Sequence, residues 1–169
     1  MKMIDIFTAQ LEREAPRCRK ALERVPEGKN DWKPHEKSMP LGYLATLVAT
    51  MPMWIDMVIN QDELDLNPPG GSSFKPLVWN ERPELIAGLD DAIAKARQAL
   101  IDTTDEHLLT PWKLLVAGKV VAENPRHVVI ADTFNHLAHH RGQLTVYLRL
   151  NEATVPALYG PSADEKSFD

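Results

Sequence analysis

Apolar positions recur at steps of three to five over four stretches of the chain, close to the period that gives an α-helix one buried face. The first stretch, residues 5–24, carries Ile6, Leu11, Ala15, Cys18 and Leu22, and Val25-Pro26-Glu27-Gly28 stops it. Pro16 lies inside this stretch, where a proline removes a backbone hydrogen bond and kinks a helix. The second, residues 41–60, presents Leu44, Leu47, Met51, Trp54, Ile55 and Val58 on one continuous face. Ser38 or Pro40 opens it, and Pro52 predicts a kink near Val48. The third, residues 83–101, starts on Pro83 and lines up Leu85, Ile86, Leu89, Ile93, Ala96 and Leu100. The fourth runs from about Pro125 to Asn151 and carries Val128, Val129, Thr133, His136, His140 and Tyr147.

The connections are polar and irregular. Residues 29–40 hold Trp32, Pro34 and His35. Residues 61–82, rich in Pro, Gly, Ser and Asn, are too long for a tight loop and read as a crossover along the bundle, since a 20-residue helix spans about 30 Å. Residues 114–121 have the pattern of a small hairpin turning at Ala117-Gly118-Lys119. The tail, residues 155–161, is irregular but apolar and is expected to pack on the body. No repeat appears. Four long helices with one long crossover predict an all-α four-helix bundle, and 169 residues suit one domain over residues 1–169.

Charge narrows the partners. The net charge of −5 and pI of about 5.7 argue against nucleic acid or an anionic membrane surface, which reward a basic face. The amino terminus lacks the apolar run of a signal peptide and no segment approaches the roughly 20 apolar residues of a membrane span, so a cytoplasmic protein is expected. The single cysteine, Cys18, excludes an intrachain disulfide and a Cys-based zinc cluster. Its neighbours Arg17, Arg19 and Lys20 could lower a thiol pKa, against the plainer alternative of a small residue packed inside a helix. Arg13, Arg17, Arg19, Lys20 and Arg24 together read as a solvated helix face.

Chemistry concentrates in Phe134-Asn135-His136-Leu137-Ala138-His139-His140-Arg141-Gly142-Gln143, where three of the six histidines fall within five residues. His136 and His140 are four apart and share a helix face, a natural way to give two imidazoles to one metal ion. Asn135 and His139, on a neighbouring stripe, could orient them by hydrogen bonds. Spacing alone leaves a second reading open, in which the pair is a polar face whose imidazoles bond to nearby groups. Arg141 divides similarly, between a clamp for a substrate carboxylate and a salt bridge inside the bundle or across a dimer. Trp32, Trp54, Trp79 and Trp112 read as packing, with Trp54 placed to line a cavity below the histidines. There is no Gly-x-x-x-x-Gly-Lys or Gly-x-Gly-x-x-Gly loop for a nucleotide, no Glu-x-x-His pair for a di-iron bundle, and no nucleophile motif around Ser38, Ser72 or Ser73.

These stretches, with Arg13-Glu14-Ala15-Pro16-Arg17, Asp31-Trp32-Lys33-Pro34-His35-Glu36-Lys37-Ser38-Met39, Leu41-Gly42-Tyr43-Leu44-Ala45 and Val155-Pro156-Ala157-Leu158-Tyr159-Gly160-Pro161, resemble the DinB/YfiT-like superfamily of metal-dependent four-helix-bundle proteins. The resemblance implies an up-down-down-up bundle with its crossover between the second and third helices, and a homodimer. It also implies a divalent metal (Zn, Ni or Fe) on three histidines, two of them matching His136 and His140. The third should follow the run Leu41-Gly42-Tyr43-Leu44-Ala45-Thr46, and there this chain has Leu47. A leucine has no lone pair to donate. Tyr43 and Met51, one turn either side, and His35 and His107, in connections, are weak substitutes. Two functions follow. One is a metal-dependent enzyme of thiol-transferase or hydrolase type with a degenerate site. The other is a metal-free dimeric protein that binds a small molecule or is structural, and retains the bundle.

Overall fold

The computed structural model describes residues 2–71 and 81–166, so Ser72, Ser73 and Trp79 lie outside the described residues. In chain order the elements are α1 (Met3–Leu22), α2 (Leu41–Thr50), α3 (Met53–Asn60), β1 (Glu63–Asp65), α4 (Arg82–Asp102), α5 (Asp105–Leu108), β2 (Pro111–Val116), β3 (Lys119–Pro125) and α6 (Arg126–Leu150).

Apolar faces at helical spacing meet in two core clusters, and these set the chain directions. One joins Cys18 and Leu22, late in α1, with Leu41 and Leu44, early in α2, Leu85 and Leu89, early in α4, and Leu144 and Leu148, late in α6. The other joins Phe7 and Leu11, early in α1, with Ile55 and Val58 of α3, Ala96 and Leu100, late in α4, and Ile130 and Phe134, early in α6. Thus α1 and α6 run one way, and α2–α3 and α4 the other. The chain is nevertheless not the pure all-α bundle expected. A three-stranded sheet in the order β1-β2-β3 sits at one end, with β1 parallel to β2 and β2 antiparallel to β3. Its strand β1 comes from the segment read as a bare crossover. Three residues alternate too briefly to be recognised without their partner.

The local rules hold with shifts of a few residues. Pro16 does not divide α1, which runs unbroken through it. Pro52 does break the second helical stretch, into α2 and α3 at a bend of 51°. The break falls at Met51-Pro52 rather than near Val48, because Pro52 has no N–H to continue the ladder and the chain steps round it with tighter bonds, Trp54 N to Met51 O and Ile55 N to Pro52 O. The hairpin turns at Ala117-Gly118, both with positive φ (52° and 75°), the two-residue turn that matches strand twist. Asp65 accepts from both their amides at 3.0 and 2.7 Å, tying β1 to the turn. Gly42 is needed for space. A Cβ there would meet Asn30 Cβ at 3.0 Å, where the linker crosses α2 and Asn30 O accepts from Gly42 N.

Two buried arginines fix the helices to each other. Arg126, opening α6, donates to the Val58 and Gln61 carbonyls at the end of α3 and to Asp62. Arg141 forms the buried ion pair with Glu14 that the sequence offered as one of its two roles, and the substrate-clamp role falls away because the residue is fully buried. Tyr159 donates to Glu14 and Arg17 donates to the Leu158 carbonyl, so the apolar tail packs on the body as expected. Three of the five basic residues are therefore not a free solvated face: Arg17 of α1 and Arg24 just beyond it hold the tail, and Arg19 pairs with Asp90 of α4. Cys18 is buried in the core, and burial pushes its thiol up rather than down, despite Arg141 at 3.2 Å. Among the described residues, no single helix is long and apolar enough to cross a membrane.

Candidate functional site

Helix α6 places Thr133, His136, His140 and Gln143 on successive turns, on the side toward α3 and the sheet. His140 is buried and His136 is exposed. Their Nε2 atoms lie 2.8 Å apart, with ring centroids at 4.6 Å. His140 Nδ1 is 2.8 Å from Gln143 Oε1. An amide oxygen only accepts, so Nδ1 of His140 carries the proton, and its Nε2 in the neutral ring is a lone pair. Nε2 of His136 must then donate to it. That leaves Nδ1 of His136 as an acceptor with no partner. The sequence pointed to Asn135 and His139 as the orienting groups. The structure assigns that job to Gln143, three residues on and one turn away, a signal present in the spacing. His139 instead packs its ring edge against His140 at 5.0 Å.

The surroundings of the pair favour the neutral form of both rings. Desolvation pushes both imidazoles below their ordinary pKa; for His136 the charges of His140 and His139 add to this, and for His140 burial outweighs the opposing bond to Gln143, with a smaller contribution from the charge of His139.

Trp54 stands edge-on to His136 at 5.4 Å and lines a cavity of about 410 Å³ beside it, as its place in the sequence suggested. The walls are mostly apolar, from Met57 and Val58 of α3, Leu64 of β1, Trp112 and Leu114 of β2 and Val129 of α6. Asp65, Asp132, Thr133 and His136 supply the polar part. Asp132, one turn before His136, was missed by sequence reading, because without β1 and β2 nothing marks it as facing a cavity. A larger groove of about 560 Å³ along α1, near Arg13, Glu14 and Tyr159, lies away from the histidines.

The donor set does not fit the three-histidine centre. Leu47 packs half-buried against the first core cluster and offers no lone pair. Met51 is buried in the same cluster. His107 is engaged with the Ile59 carbonyl at 2.8 Å, and exposed His35 accepts from Lys37 N. Among the described residues no three His, Cys, Asp or Glu side chains gather around one point. His136 and His140 come together as expected, and among the described residues no third metal-ligating side chain joins them.

Among solved structures, the fold is similar to that of a DinB-like protein from Bacillus cereus, at 22% identity over 90% of this chain and 95% of that one, with a TM-score of 0.69. It is also similar to a DinB-like protein from Bacillus subtilis, at 15% identity over 95% and 99%, with a TM-score of 0.64. No curated protein matches the chain. Residues 10–144 match the DinB superfamily, and the chain belongs to that superfamily.

Proposed function

We propose that this DinB-superfamily protein binds a small molecule without a metal, in the cavity between α3, α6 and the sheet. The observation that carries the reading is the donor set. At the position where the resemblance implies a third ligand stands Leu47, packed on the core, while His136 and His140 satisfy each other. The cavity is the right size, since small-molecule sites span roughly 300–1,000 Å³ and are mainly apolar with a few placed polar groups. Gln143 fixes the tautomer of His140, the His140 lone pair fixes His136, and Trp54 holds that ring from the side. The pair is thus a rigid polar wall at one end of an apolar chamber.

The test is saturable binding of a neutral apolar dye such as Nile red to the purified protein. One site per chain is expected, lost in Val129→Trp, which fills the cavity, while circular dichroism stays unchanged. Binding that survives the filling variant, or no saturable binding, would overturn the reading. The homodimer that the resemblance implies goes with it. Sedimentation at micromolar concentration should give twice 19.0 kDa, and a single monomeric species would refute that part.

One observation favours a second reading. The two Nε2 atoms converge, and Gln143 orients His140 as a partner of a metal-ligating histidine does. A divalent ion (Zn, Ni or Fe) held weakly by the pair, with water or substrate at the remaining positions, would make the protein a metal-dependent enzyme of thiol-transferase or hydrolase type. Elemental analysis after exhaustive dialysis separates the two: near-stoichiometric metal supports the second reading, and less than about a tenth of that supports the first.

A further inference from the structure

Leaving aside the indole N–H of Trp112, which has no partner but is sealed within the wall, the polar side-chain groups free to meet a ligand are of one kind. Asp65 is already occupied, accepting from Asn67 N, Ala117 N and Gly118 N. The Thr133 hydroxyl is spent on the Val129 carbonyl at 2.9 Å. What remains is the carboxylate of Asp132, which has no hydrogen bond or ion pair among the described residues, and Nδ1 of His136, left as an acceptor by the chain of bonds from Gln143. Both accept. They sit one helical turn apart, so a single donor-rich head group can reach both. Among the described residues no lysine or arginine lines the chamber, so none of them offers a cation to a carboxylate or phosphate. Trp54 and Trp112 supply aromatic faces, the surface against which a cation is favoured.

Building on the small-molecule reading, we propose that the ligand is an apolar primary amine: a hydrophobic body among Trp54, Trp112, Leu114 and Val129, with its ammonium on Asp132 and His136. An ammonium carries three donors and no acceptor, the complement of the two free groups. A neutral alcohol satisfies one of them. A carboxylate meets Asp132 as a like charge.

Matched probes test this: 4-phenylbutylamine, 4-phenylbutanol and 4-phenylbutyrate, each titrated into the full chain and followed by tryptophan fluorescence, since Trp54 and Trp112 line the site. The amine should bind about tenfold more tightly than the alcohol, and the carboxylate most weakly. Asp132→Asn, an exposed and isosteric change, should bring the amine to within about twofold of the alcohol. An alcohol that binds as tightly as the amine would overturn the ligand class while leaving the cavity reading intact. An amine preference that persists in Asp132→Asn would overturn the role of that carboxylate. If none of the three binds, both the class and the cavity reading fall.

Discussion

Removing Arg141 should cost the protein much of its stability while removing its partner as well should restore part of it. The Arg141 side chain is fully buried, and it bonds the Glu14 carboxylate, the Tyr159 hydroxyl and, at 3.2 Å, the Cys18 sulfur. Replacing it with methionine keeps most of the volume and leaves Glu14 buried with only Arg17 at 2.7 Å and Tyr159 at 3.0 Å. Breaking a buried pair by deleting one member costs about 3–5 kcal/mol. The two remaining donors put Arg141→Met near the lower end, about 3 kcal/mol. In a domain of this size that is a fall in melting temperature on the order of 10 °C. The pH dependence gives a second handle. Burial pushes the Glu14 carboxyl up, but Arg141, Tyr159 and Arg17 together outweigh it and hold the pKa below its ordinary value. In the native protein this stabilisation is present above the ordinary carboxylate pKa and is lost as pH falls through the depressed one. In Arg141→Met burial is less opposed, so Glu14 protonates more readily and the gap to the native protein should narrow between pH 7 and pH 4. The double variant Glu14→Gln/Arg141→Met should be more stable than Arg141→Met alone at pH 7. Thermal melts by circular dichroism of the native protein, both single variants (Arg141→Met and Glu14→Gln) and the double variant measure this. A loss below about 1 kcal/mol for Arg141→Met, or a double variant whose loss equals the sum of the singles, would refute the claim that this pair is a buried, coupled unit.

Other consequences follow from the site and the hairpin. His136 and His140 both have depressed pKa values, so the unfolded chain takes up protons first; stability is full above about pH 6.5 and declines as pH falls toward 5. The melting temperature should drop over that interval, and His136→Asn/His140→Asn should flatten the drop; a native protein that becomes more stable at pH 5 would contradict it. Ala117 holds a left-handed conformation at φ 52° that asparagine tolerates better. Ala117→Asn should therefore raise the urea midpoint by the equivalent of about 0.5–1 kcal/mol, and a lowered midpoint would count against the turn geometry.

Much of the helical frame can be read from apolar spacing and breakers. Leu44, Leu47, Ile55 and Val58 mark one face, and Pro52 divides it. The His136–His140 pair is legible because four residues make one turn. The sheet is less so. Strand β1 is three residues paired to a strand about fifty positions away, and no local pattern announces that register. The cavity depends on that sheet, so Asp132 and Trp112 acquire a role only after β1 and β2 are in place. The buried arginines were hidden for a similar reason. Arg126 and Arg141 have their partners, Val58 and Glu14, 68 and 127 positions away. Burial of a charge becomes legible only when the tail and α1 come together.

The central claim is that, with Leu47 at the third position, His136 and His140 bond to each other through their Nε2 atoms instead of holding a metal ion. Calorimetric titration of zinc into the dialysed protein, beside Leu47→His, tests it most directly. The account predicts no stoichiometric binding in the native protein at micromolar concentrations. One zinc bound per native chain, abolished by His140→Ala and unimproved by Leu47→His, would contradict it.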